Sequence, residues 1–293
     1  MGHRVVQRNT GRNGGTCGAT MVIDSRRLPP VVPRRAHPAL SEADEATVAA
    51  AYTAARRRLL LLDYDGTLVP FAADRREATP SPRVRFLLEA LCAAPENHVI
   101  LISGRTKDDL VAWFDAFRMT LVAEHGAWVH LPGLRQWDAT ARLDSRWKSL
   151  VLPLLQEYVG RVAGSTIEEK ETAVAWHYRA VDPSVAGGVS RDLTRALERI
   201  LTDHDLVVTD ENCVVEVRSR SVTKGLFFQS RLSQEPWDFI LALGDDETDE
   251  SLFRVLPIGS YSVRVGLVPT AARFNADSVE TALVLLERLR NGA

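Results

Sequence analysis

Short, wholly apolar runs recur along the chain, and between them apolar residues return every three or four positions. Leu59-Leu60-Leu61-Leu62, His98 to Ile102 (HVILI), Met119 to Ala123 and Asp238 to Leu243 (DFILAL) read as strands buried on both faces, too short to span a membrane. Ser41-Glu42-Ala43-Asp44 opens an Ala-rich helix to about Arg58. Thr79-Pro80-Ser81-Pro82 forms the turn and cap of a helix from about Pro82 to Ala93, with Val84, Leu87, Leu88 and Leu91 on one face. Thr106-Lys107-Asp108-Asp109 opens another, through Trp113 and Phe117. Past Ser221 the pattern resumes: Thr223-Lys224-Gly225 begins a helix through Leu232, and a helix from about Glu250 to Leu256 follows the strand at 238–243. A short strand at Tyr261 to Val265 and a helix from Ser278 to Arg290 close the chain. Strands alternating with helices predict the α/β class, a Rossmann-like, doubly wound parallel sheet.

The rhythm breaks between residues 129 and 218. Trp147, Leu150, Val151, Leu154, Leu155 and Tyr158 recur at helical spacing, with Pro153 expected to kink or divide that helix. Thr166 to Lys170 and Ala173 to Arg179 read as a hairpin. A helix from about Ser184 to His204 follows, weakened by Gly187-Gly188. Leu206 to Thr209 and Cys213 to Arg218 make a second hairpin. Helix, hairpin, helix, hairpin is an α+β block. It is read as a cap domain over residues 129–218, inserted into a core of residues 41–128 and 219–293.

Charge is distributed unevenly. Residues 1–40 hold seven arginines and one acid (Asp24), +6, against a net −2 for the chain, which leaves −8 for the rest. With Gly, Pro and Asn and no apolar periodicity, that arm is expected to be disordered. An acidic body argues against a nucleic-acid partner. No apolar run reaches the length of a membrane span, so no membrane partner is expected. Three widely spaced cysteines match no metal pattern and suggest a reduced, cytoplasmic protein.

The chemistry lies where the apolar runs stop. The first strand ends in Asp63-Tyr64-Asp65-Gly66-Thr67, the second at Ser103-Gly104-Arg105, and the strand at 238–243 in Gly244-Asp245-Asp246-Glu247-Thr248-Asp249. In a parallel sheet these ends share one edge, where ligands bind. Five carboxylates (Asp63, Asp65, Asp245, Asp246, Asp249) gathered with Ser103 and Lys224 would not all stay ionised without a cation. Oxygen-only ligands point to Mg²⁺. A simple Asp-Gly turn is the plain alternative. A calcium loop fails, because Gly66 falls at the fourth loop position rather than the sixth.

DYDGT at 63–67, Ser103, Lys224 and GDDETD at 244–249 resemble, in order, the four motifs of the haloacid-dehalogenase superfamily of phosphatases. The resemblance implies Asp63 as nucleophile and Asp65 as acid and base. Ser103, Lys224 and the backbone near Gly66 and Thr67 would meet the phosphoryl oxygens. Mg²⁺ would sit on Asp63, the Asp65 carbonyl and Asp245, with Asp246 and Asp249 holding its waters. Within residues 55–290, SxIExK at 165–170, WHYR at 176–179, VVEVR at 214–218, EHGA at 124–127 and GDDETDE are similar to the trehalose-6-phosphate phosphatase family. That resemblance implies Glu168, Lys170 and Glu216 as sugar contacts and Glu124 and His125 lining the site. It also implies trehalose 6-phosphate as small-molecule substrate and trehalose-6-phosphate synthase as functional partner, for whose glycosyltransferase domain this sequence has no room. Glu168–Lys170 and Glu216–Arg218 can also be read as solvated cross-strand pairs, an even choice for Arg218, whereas sugar contact is the favoured reading for Lys170 and Glu216. His177 and Trp176 read equally as cap core, and Arg105 reads as a structural ion-pair partner rather than a catalytic group. A phosphatase or phosphomutase for another sugar phosphate, and a non-catalytic subunit regulating a synthase, stay open as alternatives.

Overall fold

The computed structural model describes residues 34–72, 75–141 and 143–292. From the amino end, α1 (Glu42–Ala54) leads to β1 (Arg58–Leu62), α2 (Pro82–Ala93), β2 (Asn97–Ile102), α3 (Lys107–Phe114) and β3 (Thr120–Ala123). Next come β4 (Trp128–His130), β5 (Asp138–Ala139), α4 (Lys148–Arg161), β6 (Thr166–Glu169), β7 (Ala173–His177), α5 (Pro183–Ile200), β8 (Leu206–Glu211) and β9 (Val214–Ser219). Then follow α6 (Lys224–Arg231), β10 (Phe239–Gly244), α7 (Glu247–Phe253), β11 (Tyr261–Val265), β12 (Phe274–Ala276) and α8 (Val279–Asn291).

One sheet runs β12-β11-β10-β1-β2-β3-β4-β5, parallel from β12 to β3 and antiparallel at β4 and β5. Its faces explain why β1 carries four successive leucines after Arg58. Leu60 and Leu62 pack with Val48 of α1, Leu88 of α2, Leu110 of α3 and Leu286 of α8, while Leu59 and Leu61 pack with Phe228 of α6 and Leu252 of α7. Both faces are covered by helices, so no position on the strand meets water. Local signals start the helices as expected: Ser41 and Asp44 form a capping box on α1, and Ser81, Thr106 and Thr223 cap α2, α3 and α6.

The second sheet is antiparallel, β6-β7-β9-β8. Val174, Trp176, Val215 and Val217 turn one face onto Leu155 of α4 and Leu193 and Leu197 of α5. The period of two then sends Glu168, Ala175, Glu216 and Thr209 to the other face in one row, and His177, Val214 and Glu211 in the next. Trp176 is therefore core and His177 is not. Pro153 does not divide α4 into two elements, and Gly187-Gly188 do not stop α5.

Four expectations change. The chain leaves the first sheet after Ala139 rather than at 129, because β4 and β5 fold back on its edge; strands this short leave almost no periodicity to read. β12 lies between the strand at 261–265 and the helix from Ser278, where the sequence reading places no element. Helix α7 begins at Glu247, three residues early, with Asp246 as its cap. Of the basic arm, residues 1–33 lie outside the described residues. Residues 34–40 are ordered along the sheet edge: Arg35 exchanges backbone hydrogen bonds with Thr270, and the Leu40 N–H donates to Asn275 at 2.7 Å.

Candidate active site

Strand register brings the motif residues together. Leu62 of β1 lies beside Leu243 of β10 and Leu101 of β2, so the next residues along each chain emerge on one edge. The Asp63 N–H continues the ladder to Leu243, and the Ser103 N–H does so to Val122. Asp63 and Ser103 are buried at these ends. Gly66 then turns the chain at φ +83°, with no room for a side chain: a Cβ would lie 2.4 Å from Asp245 Oδ2. Glycine here lets the Asp63 loop and the Asp245 loop touch. The Thr67 hydroxyl donates to Asp245 at 3.4 Å.

Lys224, at the start of α6, is 1% exposed. Its ammonium donates to Asp63 at 2.6 Å and to Asp249 at 2.8 Å. Burial opposes its charge, yet Asp249, Asp63 and Asp246 hold its pKa above the ordinary value. One ammonium does not neutralise the cluster. Burial raises the Asp63 carboxyl against the pull of Lys224, and Asp246 and Asp65 add to the rise. Burial likewise raises Asp249, and pushes Asp245 up to about 10 with the help of Asp63, Asp246 and Asp249. Oxygens of Asp63, Asp245 and Asp249 lie within 4.8 Å of one another. An all-oxygen set whose members raise one another's pKa fits a hard divalent cation.

Asp246 and Asp249 have structural duties that their motif position conceals. Asp246 caps α7, one oxygen accepting from the N–H groups of Thr248 and Asp249 and from the Thr248 hydroxyl. The oxygens of Asp249 take Lys224 on one side and the N–H groups of Asp245 and Asp246 on the other. Asp249 is thus engaged through both oxygens and Asp246 through one. The backbone N–H groups of Gly66 and Thr67 are likewise spent inside the turn, on Val69 and Tyr64.

Asp65 does not join the carboxylate cluster. Arg105, two residues past Ser103, donates to both its oxygens at 2.7 and 2.6 Å. The guanidinium is buried over the rings of Trp113 (4.9 Å) and Tyr64 (5.8 Å). The expectation of a structural ion pair at Arg105 holds, with the candidate acid as its partner.

The polar face of the second sheet meets this edge. Lys170 donates to Glu216 at 2.6 Å, and His125, from the first sheet, lies 3.0 Å from the other Glu216 oxygen. Although burial opposes it, the charges of Lys170, His125 and Arg218 hold Glu216 well below the usual carboxylate range. Arg218 is buried behind them, its guanidinium donating to the Val222 carbonyl. Glu168 pairs with His177 at 2.9 Å on the same face. His177 is the residue sequence reasoning left undecided, and the alternation Trp176-in, His177-out was its signal. Ala173 and Ala175 are the small residues between these groups on β7. Glu124 was expected to line the site, but its carboxylate accepts from the Glu171 and Thr172 N–H groups and the Thr172 hydroxyl.

The family model for trehalose-phosphatase matches residues 61–279. The chain is 39% identical over 239 residues to the bifunctional trehalose-6-phosphate synthase/phosphatase of Thermoproteus tenax, covering 82% of this chain and 33% of that one. It spans a third or less of the first curated relatives it matches. The C-terminal domain of trehalose-6-phosphate phosphatase from C. albicans superposes with a TM-score of 0.81 at 30% identity, over 87% of this chain and 99% of that one. A haloacid dehalogenase-like hydrolase from B. subtilis matches at TM-score 0.57 and 14% identity over 78% and 98% of the chains, a likeness of fold alone. With its motifs, its fold and its carboxylate cluster in agreement over three quarters of its length, the chain belongs to the trehalose-phosphatase family.

Proposed function

We propose that this chain hydrolyses trehalose 6-phosphate to trehalose and phosphate, as a step of trehalose biosynthesis in the cytoplasm, through an aspartyl-phosphate on Asp63. The observation that carries the reading is the convergence of Asp63, Lys224, Asp245 and Asp249 on one sheet edge beneath a polar antiparallel sheet. Residues from about 140 to 218 act as a cap on the remaining core. A synthase that makes the same sugar phosphate is the natural partner, in line with the bifunctional name of the Thermoproteus relative.

Asp63 attacks phosphorus, which divides one difficult displacement into two easier ones. Lys224 and the Ser103 hydroxyl stabilise the phosphoryl oxygens; the Ser103 oxygen already accepts from the Arg105 N–H, leaving its proton to donate. Asp63 and Asp245, with the Asp65 carbonyl, would hold Mg²⁺, and Asp249 stands behind them. The cation, when bound, offsets the repulsion between carboxylate and phosphate. Asp65 protonates the leaving sugar oxygen and then takes a proton from the attacking water, exchanging Arg105 for the substrate as it does so. Glu168, Lys170 and Glu216 read the sugar hydroxyls, with His125 and His177 beside them.

Phosphate release in Mg²⁺ from trehalose 6-phosphate, sucrose 6-phosphate, glucose 6-phosphate and para-nitrophenyl phosphate tests this. Strong preference for the first is expected, abolished by Asp63→Asn. Equal turnover of all four would keep the core chemistry and discard the substrate. Release from none would leave a non-catalytic, synthase-regulating subunit standing.

A further inference from the structure

The connection between β3 and β4 is Glu124-His125-Gly126-Ala127, and its backbone is unusual. Glu124 (φ +48°) and His125 (φ +59°) are both left-handed, a conformation that non-glycine residues rarely adopt and that Gly126 (φ +115°) continues. Such consecutive outliers persist only where neighbouring structure enforces them. The Glu124 N–H donates to the Arg105 carbonyl and the His125 N–H to the Ser103 carbonyl, tying the connection to the phosphate-binding edge. Thus twisted, Glu124 sends its buried carboxylate out of the first sheet and into the β6–β7 turn of the second. There it accepts from Glu171 N–H at 3.2 Å, Thr172 N–H at 2.7 Å and Thr172 Oγ1 at 2.6 Å.

That turn carries Lys170. From the insert's own side, Lys148 at the start of α4 donates to the Lys170 carbonyl and to Glu169. From the core, Lys107 reaches Glu171 at 2.7 Å, a contact with an exposed glutamate worth little. Glu124 is the buried, charge-assisted attachment, and the stronger kind. Its neighbour His125 reaches Glu216 across the same divide. Two adjacent residues of one twisted loop therefore hold the two members of the Lys170–Glu216 pair against the phosphate site.

We propose that Glu124 is a positioning residue: it fastens the Lys170–Thr172 turn to the core, so that the sugar-reading pair stands at a fixed height above the phosphoryl site. This inference rests on the proposed sugar-phosphate chemistry. Glu124 touches neither sugar nor phosphate. It sets the distance between the groups that do.

The test pairs Glu124 with a partner that lies on the turn. Thr172→Val removes only the hydroxyl from the fastening; Glu124→Gln keeps an acceptor but not the charge; Glu124→Ala removes the fastening. For each, kcat and KM are measured with trehalose 6-phosphate and with para-nitrophenyl phosphate, and amide exchange is read at Glu171 and Thr172. The expected result is a rise in trehalose 6-phosphate KM of about tenfold in Glu124→Ala, equivalent to about 1.4 kcal/mol. Smaller rises follow in Glu124→Gln and Thr172→Val. The preference for sugar over aryl phosphate falls in the same order, Glu171 and Thr172 lose protection, and the Glu124→Ala, Thr172→Val double variant is no worse than Glu124→Ala alone.

A KM rise in Glu124→Ala with wild-type protection at 171–172 and a silent Thr172→Val would make Glu124 a sugar contact and overturn the proposal. Parallel loss of sugar and aryl turnover, with a lowered melting temperature, would make it a purely structural residue and overturn it equally. If the wild type shows no preference for trehalose 6-phosphate, the underlying substrate reading fails and the proposal falls with it. If that preference is present and survives Glu124→Ala, the proposal alone fails.

Discussion

Replacing Asp245 by Asn removes a negative charge from the carboxylate cluster at almost constant size. Burial, then Asp63, Asp246 and Asp249, push this carboxyl up to about 10 from an ordinary 3.8. The folded-state pKa lies above the unfolded one, so the folded chain holds the proton more tightly. The stability that Asp245 contributes is therefore complete below pH 3.8 and is lost as pH rises towards about 10. At about 1.4 kcal/mol per pH unit, the metal-free fold has lost at most ~4 kcal/mol by pH 7, an upper bound because neighbouring acids share the repulsion. An Asn has no such dependence. At about 2 °C per kcal/mol for a chain of this size, Asp245→Asn should melt up to ~8 °C higher than wild type in EDTA at neutral pH. Mg²⁺ should reverse the order, stabilising wild type increasingly from pH 5 to pH 9 and leaving the variant unmoved and inactive. Calorimetric melts with EDTA and with excess Mg²⁺ across that range are the assay. An Asp245→Asn protein that melts at or below wild type in EDTA at pH 7 would refute the view that this carboxylate burdens the fold for the sake of the metal.

Two further outcomes follow from the same geometry. Gly66→Ala places a Cβ 2.4 Å from Asp245 Oδ2 at φ +83°, and a left-handed alanine alone costs about 1–2 kcal/mol; Mg²⁺ titration of turnover should show activation weakened by about tenfold or more. Lys170→Ala and Glu216→Gln each leave buried charge with fewer partners, so the KM for trehalose 6-phosphate should rise by about tenfold or more while para-nitrophenyl phosphate turnover changes little. Unchanged KM values in steady-state assays would remove the pair from the sugar site.

The candidate edge was legible because three of the four motifs sit where an apolar run stops. Four leucines ending in Asp63-Tyr64-Asp65-Gly66 announce both the strand and what it delivers, and a parallel sheet has only one edge on which to collect such ends. The α+β insert was visible in the change of period after Trp128. What stayed hidden depends on partners that carry no sequence signature. The amides that Glu124 accepts from are 47 and 48 residues away and belong to a turn whose side chains give no hint of them. Arg105 was readable as an ion-pair partner, but its choice of Asp65 required the loops after β1 and β2 to be placed side by side. Asp246 was readable as acidic and not as a helix cap, because Glu247-Thr248 carry no apolar signal and the start of α7 was set too late. His177 needed only strand parity, which the neighbouring Trp176 supplied once the register was fixed.

The segment from Arg34 to Leu40 has a consequence beyond the site. Sheets that end in an unpaired strand offer a row of free backbone donors and acceptors to any other chain, and proteins must blunt such rims to stay unassociated. Here the rim at β12 is covered by the chain itself: Ala39 bridges to Asn275 in parallel, Arg35 bridges to Thr270, and Leu40 is buried against the core. The opposite rim is β5, only two residues long and solvent-exposed on both, too short to template a growing sheet. A chain trimmed to begin at Ser41 would keep every carboxylate of the cluster and yet bare a sticky border, so its loss of yield or tendency to self-associate would say nothing about its chemistry.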